Sequence, residues 1–244
     1  MNTVLFDLDG TLLPMDVEEF TKNYFGYIVQ TMNENGRDGK FILKAIGKGV
    51  EEIVKNNGTL TNEEVFWNTF TSITNIKQEE IEPEFTKFYE TRFDFINTGR
   101  QSIHMIQAVS LLKEKGYRLV LATNPLFPSI ATEKRIKWAG LNKEDFEWVT
   151  TYENSSYAKP NPSYYKEIID KLKLDVTQCL MVGNDVKEDC AVTSLGIPVY
   201  LVNDYLLNKY NLEITCPCTS SLEFLEYVKN LPNIITTNKI GGIN

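Results

Sequence analysis

Five short apolar runs stand apart from the rest of the chain: residues 3–6, 117–122, 146–151, 179–182 and 199–202. Each is rich in β-branched or aromatic side chains and too short for a helix, so each predicts a buried strand. Between and beyond them the apolar positions recur at helical spacing. Phe20, Tyr24, Tyr27, Ile28 and Met32 form one stripe behind a capping Asp16. Phe41, Ile42, Ala45, Ile46, Val50, Ile53 and Val54 form a second, in which Gly47 and Gly49 either weaken the helix or let a neighbour pack closely. Thr61 and Glu64 make a capping box for a third helix through Val65, Phe66, Phe70 and Ile73, and a fourth is predicted over about 83–96.

No strand pattern occurs between Thr11 and Asn97, so this stretch predicts an all-helical bundle whose aromatic residues mainly serve its own core. From Gly99 onward strand and helix alternate, with helices expected over 103–115, from 129 towards Gly140, over 162–172, through Glu188 to Leu195, and from the capping box Ser220/Glu223 to Val228. Apolar strands alternating with helices predict an α/β fold built on a doubly wound parallel sheet. Residues 1–13 and 99–232 then form one core domain, residues 14–98 an inserted helical cap, and residues 233–244 a loose tail without periodicity.

In such sheets ligands bind beyond the carboxyl ends of the strands, and the unusual polar residues of this chain fall there. Asp7-Leu8-Asp9-Gly10-Thr11 closes the first run. Positions i and i+2 of a strand point the same way, so Asp7 and Asp9 project together and Gly10 turns the backbone away. Two adjacent carboxylates suit a hard divalent cation, and a carboxylate can also act as a covalent nucleophile. Thr123 and Asn124 end the second run, Lys159 lies in the rigid Lys159-Pro160-Asn161-Pro162 loop, and Gly183-Asn184-Asp185 with Asp189 follows the fourth. Four separate places thus converge on one edge.

Composition narrows the partners. The 244-residue chain has 42% apolar and 24% charged residues, as ordinary globular proteins do. A net charge of −8 argues against a nucleic-acid partner, which would need clustered Lys and Arg, but admits a small anion held by one or two local cations. No run approaches the ~20 apolar residues that cross a bilayer, and Met1-Asn2-Thr3 does not begin a signal peptide. Cys179 and Cys190 have apolar surroundings, and Cys216-Pro217-Cys218 lacks the second pair a zinc site uses, so a reducing, cytoplasmic setting is expected. Nothing demands more than a monomer.

Taken together, the paired aspartates with Gly10-Thr11, Thr123, Lys159-Pro160, and Gly183-Asn184-Asp185 with Asp189 resemble the haloacid dehalogenase-like hydrolase superfamily, in order and spacing. The helical insert resembles that family's C1-type cap on a Rossmann-like core. The resemblance implies a Mg²⁺-dependent phosphatase acting on a small phosphorylated metabolite. Asp7 would be the nucleophile and Asp9 the general acid and base. Thr123 and Lys159 would complete the catalytic set, with Gly10, Thr11 and Asn124 helping to bind the phosphoryl group. Mg²⁺ would be held by Asp7, the Asp9 carbonyl and Asp185, while Asn184 and Asp189 would support these from behind. Relatives often have Gly-Asp where this chain has Gly183-Asn184-Asp185. Asp185 is favoured as the ligand for its charge, with Asn184 at that position as the alternative. A phosphomutase shares these motifs, and a non-catalytic module could keep the fold. A dehalogenase is disfavoured, because resemblance implies that those enzymes lack the acid at Asp9.

Other polar residues have plainer readings. His104, the only histidine, sits beside apolar helix positions and is expected to be structural. Lys44, Lys48 and Lys55 read as a solvated helix face, as do Arg92 and Arg100, the alternative being contact with the far end of a substrate. Cap closure predicts hinges near Leu13-Pro14 and near residues 97–99.

Overall fold

The computed structural model describes residues 1–97 and 99–234. Its centre is β1 (Thr3–Phe6), buried at every position, with Val4 and Phe6 facing one apolar cluster and Leu5 the other. Both faces of the strand are covered, which is why its sequence is apolar without alternation. The remaining strands are β2 (Arg118–Leu121), β3 (Trp148–Val149), β4 (Cys179–Gly183), β5 (Val199–Val202) and β6 (Cys218–Thr219). They form one parallel sheet in the order β3-β2-β1-β4-β5-β6. The order reverses direction at β1, so a crevice opens between the carboxyl ends of β1 and its neighbours.

After β1 come the four helices of the insert: α1 (Val17–Glu34), α2 (Gly39–Val54), α3 (Asn62–Thr74) and α4 (Gln78–Thr91). Asp16 and Asp38 cap the first two by accepting from backbone N–H groups, and Thr61 and Glu64 form the expected capping box on the third. The fourth helix begins earlier than its apolar stripe suggested, since Pro83 lies inside it rather than at its start. It ends at Thr91, and a 3-10 turn at Phe93–Ile96 takes over. Core helices follow: α5 (Ile103–Glu114), α6 (Ser129–Trp138), α7 (Pro162–Leu172) and α8 (Ser221–Asn230). Among the described residues, no helix is long and apolar enough to cross a membrane.

Three sequence expectations change. The strand expected over 146–151 shortens to two residues, because Thr150 and Thr151 turn away to bond the loops at the site. The helix expected through Glu188 to Leu195 is instead a turn followed by a 3-10 helix at Cys190–Leu195. The final parallel strand, β6, escaped the apolar pattern because it is only two half-buried residues on the sheet edge. The cap's expected return point falls on Thr98, outside the described residues, as does most of the expected tail. Ile234 is described: its N–H donates to the Lys115 carbonyl at 2.7 Å, and it packs against the core.

The helical insert is fastened to the core at the start of α3. Asn62 is fully buried. Its backbone N–H donates to Ser155 and its side-chain amide to the carbonyls of Tyr157 and Pro125, while the Glu63 N–H donates to Tyr152. Helices α2 and α3 then pack closely, a contact that Gly49 permits. A Cβ there would lie 2.6 Å from the Phe66 ring, whereas one on Gly47 would meet nothing within 4 Å. Gly47→Ala should therefore stabilise the protein by about 0.5–1 kcal/mol through helix propensity. Gly49→Ala should destabilise it by about 1–3 kcal/mol through overpacking. Urea unfolding midpoints of the two variants check this, and equal shifts would contradict the packing account.

Candidate active site

Asp7 extends β1 by one residue, its N–H donating to the Val182 carbonyl at 2.9 Å, so its carboxylate emerges between the ends of β1 and β4. One oxygen, Oδ1, accepts from Lys159 Nζ at 2.8 Å. The other, Oδ2, receives only a long 3.4 Å hydrogen bond from the Thr11 hydroxyl. Lys159 comes from the loop before α7 and donates equally to Asp189 Oδ1 at 2.7 Å. The Lys159 side chain is fully buried, an arrangement that is tolerable only because two carboxylates meet it. Burial alone would strip its proton, but Asp189 and Asp7 outweigh that and hold its pKa well above the usual lysine value. Asp7 feels the reverse: burial pushes its carboxyl up to about 7 while Lys159 pulls it back down.

Asp189 also organises the turn after β4. Its Oδ2 accepts from the N–H groups of Asn184 and Asp185, both at 2.9 Å. Gly183 is required beside it, since a Cβ there would sit 2.0 Å from that oxygen. Gly10, at φ +87°, is required for two reasons: the left-handed backbone, and an Asn184 amide nitrogen 2.1 Å from where a Cβ would be.

The two candidates for the cation position are treated differently by the fold. The Asn184 amide donates to the Tyr205 carbonyl at 2.7 Å, which aims its oxygen at Thr11, 3.1 Å from the hydroxyl. Asn184 Oδ1 and Asp7 Oδ2 therefore share one neighbour. The Asp185 carboxylate is turned back on its own loop. Its Oδ1 accepts from the N–H groups of Lys187 and Glu188 and caps the turn, although it also borders the cavity.

Asp9 lies beyond the turn from Asp7. Its Oδ2 is ion-paired with Arg135 of α6, and its Oδ1 is buried with no hydrogen-bond partner among the described residues. Burial raises the Asp9 pKa, with Arg135 and Lys159 opposing. Arg135 is itself 1% exposed, with its guanidinium 4.4 Å over the Phe127 ring. Sequence reading missed it. The available signal was a lone basic residue on the buried face of α6, between Ala131 and Ile136, where an arginine needs a carboxylate partner. Glu188 was also passed over. It borders the cavity, accepts from Asn124 Nδ2 at 3.0 Å, and is pushed up to about 8 by burial.

Thr123 and Asn124 stand at the end of β2. Tyr164 and Thr150 hydroxyls both donate to the Thr123 carbonyl, fixing the loop. Asn124 Oδ1 accepts from the Lys159 N–H at 3.2 Å, so Asn124 ties the lysine loop to Glu188. No group among the described residues accepts from the backbone N–H of Asp9 or Asn124, and none donates to the Asp9 carbonyl. Outside the site, His104 Nδ1 meets Ser221 at 3.2 Å, Lys48 and Lys55 pair with Glu51, and Arg92 pairs with Glu34. Neither these, nor Lys44 and Arg100, border the cavity.

That cavity, about 400 Å³, joins the carboxylates below to the inserted helices above. Asp7, Asp9, Asp185, Glu188 and Asp189 line its floor, against Arg135 and the underlying Lys159. Five carboxylates facing two cations suit a divalent ion. No three Asp, Glu, His or Cys side chains of the described residues group closely enough to hold one unaided, so carbonyl and amide oxygens would have to contribute.

A family model described as haloacid dehalogenase-like hydrolase matches residues 1–192. Pyrophosphatase PpaX of Bacillus cereus is 25% identical over 217 residues, 89% of this chain and 90% of that protein. Among solved structures, a HAD phosphatase from Thermococcus onnurineus superposes with a TM-score of 0.57 at 20% identity, covering 96% of this chain and 100% of that one. The L-2-haloacid dehalogenase from Xanthobacter autotrophicus gives 0.54 at 12% identity, over 95% and 99%. These two share the fold.

Asp189→Ala should cost about 3–5 kcal/mol, because it leaves the buried Lys159 half-paired and two N–H groups without their acceptor. Chemical denaturation measures this, and a cost below about 1 kcal/mol would mean that the lysine clamp does not organise the site.

Proposed function

Because the chain belongs to the haloacid dehalogenase-like hydrolases, we propose that it is a Mg²⁺-dependent phosphatase that hydrolyses a small phosphorylated metabolite through a phosphorylated Asp7. One observation carries this reading. Two residues from the clamped carboxylate of Asp7 stands a second acid, Asp9, held by one oxygen and unpaired at the other. The second acid supplies the proton transfers that phosphate ester hydrolysis needs.

Lys159 opposes the effect of burial on Asp7 and holds its Oδ1, so that the carboxylate, which carries only the Thr11 hydroxyl on Oδ2, attacks as the anion. Attack forms the Asp7–phosphorus bond and breaks the ester bond, and the leaving oxygen takes its proton from Asp9. A water then attacks phosphorus, Asp9 accepts its proton, and inorganic phosphate and free Asp7 are restored. Arg135 fixes Asp9 through Oδ2, leaving Oδ1 for both transfers. The Thr123 side chain and the N–H groups of Asp9 and Asn124 are the donors for the phosphoryl oxygens, and Lys159 offsets the charge that builds on them. The Asp7 carboxylate, the Asp9 carbonyl and Asn184 Oδ1 would hold the Mg²⁺, which when bound neutralises the phosphoryl group and aligns it for in-line transfer. Asp185 supports this set by capping the turn that carries Asn184.

Asp7→Asn should lower turnover of a phosphate ester roughly 10³-fold or more, with an unaltered circular dichroism spectrum. Activity near that of the parent would remove Asp7 as nucleophile. Turnover should vanish in EDTA and return with added Mg²⁺; full activity in the chelator would refute the cation. Asn184→Ala should raise the Mg²⁺ concentration for half-maximal rate at least about tenfold, whereas Asp185→Asn should shift it less. The opposite order, read from Mg²⁺ titrations of rate, would return Asp185 to the ligand position.

A further inference from the structure

The phosphatase reading leaves the leaving group open, and the upper part of the cavity bears on it. Its walls come from the inserted helices and from the loop after β2. They include Phe20, Phe25, Phe66, Trp67, Phe85 and Phe127. The cavity is within the size range of small-ligand sites. Its polar complement is sparse. The Tyr24 and Tyr89 hydroxyls lie 2.8 Å apart, one donating to the other. The indole N–H of Trp67, a residue 5% exposed, has no hydrogen-bond partner among the described residues, although the Tyr152 hydroxyl lies beside it. Arg135 is the sole basic residue bordering the cavity among those described, and it is committed to Asp9 at the floor.

We propose that, given phosphatase chemistry at Asp7, the substrate is a phosphate monoester of an apolar, ring-sized alcohol, with no second anionic group and few hydrogen-bonding groups. A second phosphate would be buried against aromatic rings with no cation to face it. A sugar would bring several hydroxyls to walls whose polar groups are few, chiefly Thr21, Tyr152 and Trp67, leaving most of them unpaired. A ring buries its area against Phe66 and Phe85 without such losses. The charge and the polarity of the cavity thus point the same way. They separate this chain's site from what the name of its pyrophosphatase relative describes.

The test compares kcat/KM, with Mg²⁺, for benzyl phosphate, cyclohexylmethyl phosphate, glycerol 3-phosphate, glucose 6-phosphate and pyrophosphate. The four esters are all of primary alcohols, so differences among them report contacts with the cavity wall rather than leaving-group reactivity. Benzyl and cyclohexylmethyl phosphate should exceed the two polar esters and pyrophosphate by roughly 100-fold. Binding of benzylphosphonate and methylphosphonate, by calorimetry, gives a readout independent of turnover, and the benzyl compound should bind at least about tenfold tighter. Turnover that is equal for all the esters, or fastest for glucose 6-phosphate or pyrophosphate, overturns the proposal and leaves the phosphatase intact. Absence of turnover for every compound overturns the phosphatase reading. Equal affinity for the two phosphonates overturns the apolar assignment of the cavity.

Discussion

One buried ammonium group sets the terms for the rest of the molecule. Lys159 Nζ has no exposed side-chain surface and two carboxylates, Asp7 and Asp189, within 2.8 Å. A charge there is stable only if both partners arrive with it. The three groups come from three distant stretches of chain: the end of β1, the loop before α7 and the turn after β4. The sheet must therefore have its observed order for the lysine to be satisfied. The same constraint propagates outward. Asp189 can reach Lys159 and two backbone N–H groups only because Gly183 has no side chain, and Asn184 can reach Thr11 only because Gly10 has none.

The reversal of strand order at β1 supplies the crevice, and the insertion of four helices directly behind β1 covers it. These two facts divide the labour. Charged groups sit on the sheet side, where short loops on rigid strands hold them in place. Aromatic groups sit on the helical side, where few polar contacts are imposed. The cavity wall thus changes from ionic to apolar over its depth, and a bound molecule would have to do the same.

Much of this was readable from the chain itself, for identifiable reasons. Residues 3–6 and 179–182 are apolar at successive positions because both faces of those strands are buried, and this signal does not depend on tertiary detail. Asp7, Asp9, Thr123, Lys159 and Asp189 stood out because each interrupts or follows such a run. Arg135 did not, because its reason for being buried lies 126 positions away at Asp9. The helix expected through Glu188 to Leu195 does not form at its start, because the Asp185 carboxylate holds the N–H groups of Lys187 and Glu188 in a turn. The different demands the turn makes on Asn184 and Asp185 could not be read from their charges, because they depend on which backbone N–H groups the turn brings to Asp185.

Asn62 carries one more consequence. The chain passes between the sheet and its helical roof near Pro14 and again near Asn97, both on one flank. The first turn of α3 is joined to the floor elsewhere, through the carbonyls of Pro125, Tyr152, Ser155 and Tyr157. A roof attached at only two crossings would lift like a lid, but this one is also bolted at its front. Lifting the roof on that side would break these hydrogen bonds, so the solvent exchange of the Asn62 and Glu63 amide protons reports how firmly it is held.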